Sequence, residues 1–177
     1  TYKTLAAPSQ FTLDPVKGSR FVATLAPVES EREAGVVLAK GSATWPDASH
    51  HCWAWRLRDG QSRSSDDGEP GGSAGRPILA QIDGHGLVDV VVVVSRWFGG
   101  TKLGVGGLIR AYGGCAGKAL DQAAMRQVET TVPLVVVCDW ADTGAVDAAL
   151  ARAGLAPVEA EYGARVRRVL AVSEEGV

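Results

Sequence analysis

Three groups of residues have types and spacings suited to chemistry. The first is Asp66, Asp67 and Glu69, set among glycines in SDDGEPGGSAGRP (Ser65 to Pro77). Clustered carboxylates can hold Mg²⁺ or act as acid and base. They can equally hold a loop in shape by accepting backbone N–H bonds. The second group is His50-His51-Cys52. Neighbours on a strand point to opposite faces, so His50 and Cys52 share a side that His51 does not. No CxxC or HxxxH accompanies them, which leaves a zinc site with little support. An i, i+2 pair on a strand also gives a histidine a poor approach to a thiol. His50 joins the three acids as a candidate loop site, and no catalytic residue, metal ligand or cofactor is assigned.

The third group lies in VVVVVSRWFGGTKLGVGGLIRAYGG, Val90 to Gly114. From Val90 to Leu120 the chain carries Arg96, Lys102, Arg110 and Lys118 and no acid. Such a segment attracts anions even in a slightly acidic protein. Arg96 and Lys102 flank the expected start of a helix, whose free N–H groups favour negative charge. Arg96, Lys102 and Arg110, assisted by Arg76, are candidate phosphate contacts. Gly99, Gly100 and Gly104 would allow close approach, and Trp97 and Phe98 are candidate stacking residues. The segment is not a Walker A loop, because Val105 follows Gly104, and Ile109 breaks the Rossmann fingerprint. Glycine inside a helix costs about 0.5–1 kcal/mol relative to alanine. Gly106, Gly113 and Gly117 share a helical face with Arg110, so that face admits either a ligand or, more plainly, another packed element.

These groups need a frame to position them. Strands are expected at Tyr2 to Leu5, Gln10 to Leu13 and Ser19 to Leu25. A helix follows from Ser30, whose spacing to Glu33 is that of a capping box, to about Gly41. Cys52 to Leu57 reads as a strand with Trp53, Trp55 and Leu57 on one face, and Gln61 to Asp67 as a short edge strand. A helix from Ser73, a candidate cap, runs to Ile82. Val88 to Ser95 is the clearest strand, and its run of valines marks burial on both faces in a central position. A helix is expected from Leu103 to Arg126, with Leu108, Tyr112, Cys115 and Ala119 as its apolar seam. The remainder reads as strand (Pro133 to Trp140), helix (Asp142 to Ala153), then a hairpin of Pro157 to Tyr162 and Arg165 to Val172.

Composition fits this α/β (α+β) reading. Of the 177 residues, 46% are hydrophobic and 21% charged, which argues against disorder. No apolar run approaches the ~18 residues of a membrane span. Three widely spaced cysteines do not make a disulfide framework, so a reducing, cytoplasmic setting is expected. The formal charge of -2 divides unevenly: residues 1–126 are net basic and 127–177 net acidic.

Taken with SRF (Ser19 to Phe21) and HHCWAWRL (His50 to Leu57), the two glycine-rich motifs resemble the IMPACT/YigZ family, in its bacterial YigZ-like branch. The resemblance covers about residues 1–126. Where the family usually has H-N-C, this chain has His50-His51-Cys52, and Gly71 and Ser73 stand where Ser and Thr are frequent. The resemblance implies an N-terminal domain of the ribosomal-protein-S-five second-domain type (1–126). It also implies an incomplete ferredoxin-like module, similar to domain V of elongation factor G (127–177). It further implies a translation-linked role, because eukaryotic relatives regulate the kinase pathway controlling initiation through an extra domain that the motifs here do not include. The leading expectation is therefore a regulatory binding protein rather than an enzyme, with RNA or the ribosome as partner, no membrane and no DNA specificity. A small-molecule or nucleotide-phosphate enzyme and a protein-binding adaptor are the alternatives.

Overall fold

The computed structural model describes residues 1–174. They form two compact units: Tyr2–Val128, and a second from Glu129 onward that takes in Thr1. Both mix helix and strand, so the fold is α+β. No helix among the described residues is long and apolar enough to cross a membrane.

The first unit is built on a five-stranded antiparallel sheet. Its strands are β2 (Ser9–Val16), β3 (Ser19–Pro27), β4 (His50–Arg56), β5 (Ser62–Ser65) and β6 (Val90–Trp97). They lie in the order β2-β3-β6-β4-β5. The valine strand β6 is central, as its unbroken apolar run requires. Its alternate residues serve two cores. Val91 and Val93 join Trp55, Leu57 and Val28 beneath α1 (Glu31–Thr44). Val90, Val92 and Val94 join Phe21, Leu25 and Cys52 on the other face. That face is covered by α2 (Gly75–Gly84) and α3 (Gly104–Gln122). The remaining strands, β1 (Tyr2–Leu5) and β7 (Met125–Val128), pair antiparallel in a separate ribbon.

The N-cap of α1 forms, with the Glu33 return bond made one residue before the cap. Ser30 Oγ accepts from the Glu33 N–H at 3.2 Å, while Glu33 Oε2 accepts from the Glu29 N–H at 2.8 Å. Two helix boundaries differ from expectation. α2 is not capped by Ser73, whose hydroxyl donates to the Pro70 carbonyl. Asp66 does that work from across the loop: its Oδ1 accepts from Ala74 N at 3.1 Å and Gly75 N at 2.8 Å, and its Oδ2 from Gly72 N at 2.9 Å. And α3 stops at Gln122, because Met125 and Arg126 are taken by pairing with Leu5 and Thr4 of β1.

The second unit contains β8 (Thr131–Cys138), a single 3₁₀ turn (Trp140–Asp142), α4 (Thr143–Arg152), β9 (Pro157–Tyr162) and β10 (Val166–Ser173). β10 lies between β8 and β9. Its alternate residues Val166, Arg168, Leu170 and Val172 are buried. The buried Arg168 pairs with Asp147 of α4 at 2.8 Å.

Candidate functional site

The elements of the first unit bring most of the motif residues to one place. β3 supplies Ser19 and Phe21, β4 supplies His50 and Cys52, and β6 supplies Arg96. The 65–77 loop supplies Glu69, and α3 supplies Tyr112. Arg96 is not an exposed cation. Its side chain and that of Glu69 are each 5% exposed, and its Nη1 donates to Glu69 Oε1 at 2.6 Å. The rest of the guanidinium faces Ser19 Oγ, 3.2 Å from Nη2, and lies against the rings of Phe21 and Phe98. A charge this deep is tolerated only when paired and hydrogen-bonded, which fixes Glu69 as its partner.

Glu69 Oε1 accepts a second bond, from Tyr112 Oη at 2.7 Å. The Tyr112 ring meets Phe21 edge to face, with centroids 5.2 Å apart. Burial drives the Tyr112 hydroxyl well above the ordinary phenol value, and Cys52 and Glu69 reinforce the shift. It is therefore a fixed donor. Burial likewise pushes the Cys52 thiol up to about 12, so no thiolate nucleophile is present near neutrality. Cys52 Sγ donates instead to the Asp66 carbonyl at 3.1 Å.

The acidic loop is shaped by its carboxylates rather than gathered round an ion. Asp66 holds the start of α2. Burial alone would raise its carboxyl pKa, but the N–H groups of Gly72, Gly75 and Ala74 outweigh burial and hold it below the usual carboxylate range. Asp67 Oδ2 accepts from the His51 N–H at 2.7 Å. Asp66, Asp67 and Glu69 thus serve three different partners. Among the described residues, no three His, Cys, Asp or Glu side chains are placed to hold a metal.

Two surface concavities flank Leu103, just before α3. One, of about 390 Å³, opens over the Arg96–Glu69 pair and is lined by His50, Phe98, Lys102, Leu103 and Val105. The other, of about 400 Å³, is lined by Lys17, Arg110, Lys118, Asp14 and Leu103. The candidate cations therefore separate. Lys102 belongs to the first concavity and Arg110 to the second, while Arg76 lines neither and sits near Asp66. The candidate stacking residues part as well. Phe98 is 50% exposed at the first concavity, whereas Trp97 packs on Trp45 and lies beneath Arg20.

The glycines have internal reasons. A Cβ on Gly99 would lie 2.1 Å from the carbonyl carbon of Gly18, so the close backbone approach here is to the β2–β3 turn. Gly100 and Gly104 have φ of +89° and +73°, a region that only glycine enters freely. Gly113 and Gly117 face Pro77 and Gln81 of α2, so the glycine face of α3 serves helix packing. The sequence reading missed Lys17, which only the β2–β3 hairpin brings beside α3. It also left Tyr112 in the apolar seam, although a buried tyrosine hydroxyl needs a partner.

These features define a class: an α+β protein in which a glycine-rich strand–loop–helix covers a buried arginine–glutamate pair and borders two cation-rimmed hollows. Comparison with known proteins gives the family. A profile of the Impact N-terminal domain matches residues 17–120. The Escherichia coli (strain K12) protein described as IMPACT family member YigZ is 35% identical over 158 residues, 87% of this chain and 78% of that protein. A Thermus thermophilus IMPACT family member is 46% identical over 127 residues, 72% of this chain and 64% of its own length. A crystal structure described as that of a hypothetical protein has a TM-score of 0.73 at 33% identity, covering 99% of this chain and 87% of that one. This chain belongs to the IMPACT family.

Proposed function

We propose that this chain is a translation-linked regulatory protein that binds RNA through the surface around the start of α3. The translation setting follows from the family resemblance. The observation that carries RNA is the distribution of cations: Lys17, Arg110 and Lys118 in one concavity and Lys102 in the other, meeting at Leu103. None of the four is in an ion pair among the described residues, whereas Arg56, Arg58, Arg63 and Arg96 of this unit are. Unpaired cations in two hollows on either side of one residue suit a run of phosphates better than a single anion. Arg96 has no part in this surface charge; it anchors the floor. The division into an IMPACT-type N-terminal domain (1–126) and an incomplete ferredoxin-like module (127–177) is part of the proposal.

The test is fluorescence anisotropy with a labelled single-stranded RNA of about fifteen nucleotides, comparing wild type with Lys17→Ala/Lys102→Ala/Arg110→Ala/Lys118→Ala. All four side chains are exposed, so the variant should fold. Affinity should fall at least a hundredfold at low salt. Equal affinity for the two proteins would remove the RNA reading.

A further inference from the structure

The concavity over Arg96 and Glu69 presents an unusual pattern of groups. His50 Nδ1 lies 2.7 Å from the Asp67 carbonyl oxygen, which can only accept, so Nδ1 carries the proton. In the neutral ring Nε2 is then an acceptor, and it sits 3.7 Å from Glu69 Oε1. Glu69 Oε1 is occupied by Arg96 and Tyr112, while Oε2 takes no hydrogen bond among the described residues. His50 Nε2 and the Glu69 carboxylate, the latter on a side chain that is 5% exposed, thus border the same hollow, with Oε2 left as an open acceptor. Phe98 adds a half-exposed ring to its wall, Leu103 and Val105 add apolar surface, and Lys102 adds a cation at its rim.

This pattern selects a ligand. Adjacent acceptors require adjacent donors, an exposed ring suits a flat partner, and the Lys102 ammonium suits a negative group attached to it. A cationic peptide side chain would satisfy the acceptors but would meet the Lys102 ammonium at the rim. Among nucleobases, guanine alone carries two neighbouring donors on its Watson–Crick edge, N1–H and the 2-amino group. Adenine and cytosine place an acceptor beside their amino group, and uracil flanks its one N–H with carbonyls. Unpaired RNA bases are commonly read in this way, by stacking on an aromatic ring and hydrogen bonding along that edge. A hollow of about 390 Å³ has room for one base.

We propose that this hollow receives a single unpaired guanine of the bound RNA, stacked on Phe98 and read by Glu69 and His50. The inference rests on the RNA reading above and adds to it a preference for one base. The guanine edge donates to Glu69 Oε2 and His50 Nε2. Phe98 covers its face, and Lys102 meets the phosphate.

Anisotropy titrations with three nine-nucleotide RNAs test it: all uridine, uridine with one central guanosine, and uridine with one central inosine, which lacks the 2-amino donor. Wild type should bind the guanosine strand at least tenfold more tightly than all-uridine, with inosine between them. Phe98→Ala, at an exposed position, and Glu69→Gln, which keeps the side-chain shape but removes the charge paired with Arg96, should each reduce the ratio of guanosine-strand to all-uridine affinity to about twofold or less. Lys17→Ala/Lys118→Ala should weaken all three strands alike and keep the ratio. Equal binding of guanosine and uridine strands, with binding still lost in the lysine variant, would overturn the guanine site and leave the RNA reading standing. Failure of every strand to bind would overturn both. Persistence of the preference in Phe98→Ala and Glu69→Gln would place it elsewhere and end this assignment.

Discussion

Replacing Arg96 by alanine separates its two readings, as a surface contact to phosphate and as a structural anchor. The structure gives the magnitude. Arg96 and Glu69 are each 5% exposed and joined at 2.6 Å. Removing one partner of such a pair leaves the other charge buried without compensation, at a cost of about 3–5 kcal/mol. Removing both leaves no orphaned charge. Arg96→Ala and Glu69→Ala should therefore each cost about 3–5 kcal/mol, and the double variant should fall short of their sum by about 2–3 kcal/mol. The assay is urea unfolding followed by tryptophan fluorescence. Trp45, Trp53, Trp55 and Trp97 lie in the first unit and Trp140 in the second, so a Trp140→Phe background reports the first unit alone. With a slope of about 2 kcal/mol per molar urea, each single substitution should lower the midpoint by roughly 1.5–2.5 M. A loss within about 0.5 kcal/mol for Arg96→Ala, with additive effects in the double variant, is what a surface residue would give and would refute the anchoring role.

Other outcomes follow from the same geometry. Gly99→Ala should destabilise by about 1–3 kcal/mol, because its new methyl would lie 2.1 Å from Gly18. Gly114→Ala, in a helix with nothing within 4 Å, should stabilise by about 0.5–1 kcal/mol; thermal or urea unfolding reads both. Cys52 and Cys115, each pushed up to about 12 by burial, should resist iodoacetamide at pH 8 in the folded protein and react fully in urea, as mass spectrometry would show. Asp66→Ala should cost about 1–2 kcal/mol through loss of the α2 cap. The Asp66 carboxyl is held low in the fold, so its contribution is present above the usual value near ~3.9 and lost as pH falls through the lower folded value. The urea midpoint of Asp66→Asn should accordingly decline less than wild type between pH 5 and pH 2.

What could be read in advance depended on how local the determining interaction is. The central strand was legible because burial on both faces leaves an unbroken valine run, and α1 because Ser30 and Glu33 cap within one turn. The motif residues were legible as a group. Their true arrangement was not, since Arg96 finds Glu69 twenty-seven positions away through a loop whose course Asp66 sets. The end of α3 was misjudged because Ala119 to Ala124 favours helix, while the pairing that stops it comes from β1 at the other end of the unit. Arg110 and Lys102 were expected on one surface. They lie in separate hollows because Lys102 stands in the loop before α3 while Arg110 is carried by the helix itself, on the other side of Leu103.

The slope of log affinity for single-stranded RNA against log salt concentration bears most directly on the central claim. Four phosphate contacts by Lys17, Lys102, Arg110 and Lys118 predict a slope of about −3, reduced by about 0.7 for each cation replaced by alanine. A slope near zero in the wild-type protein, or one unchanged when these four are replaced, would contradict it.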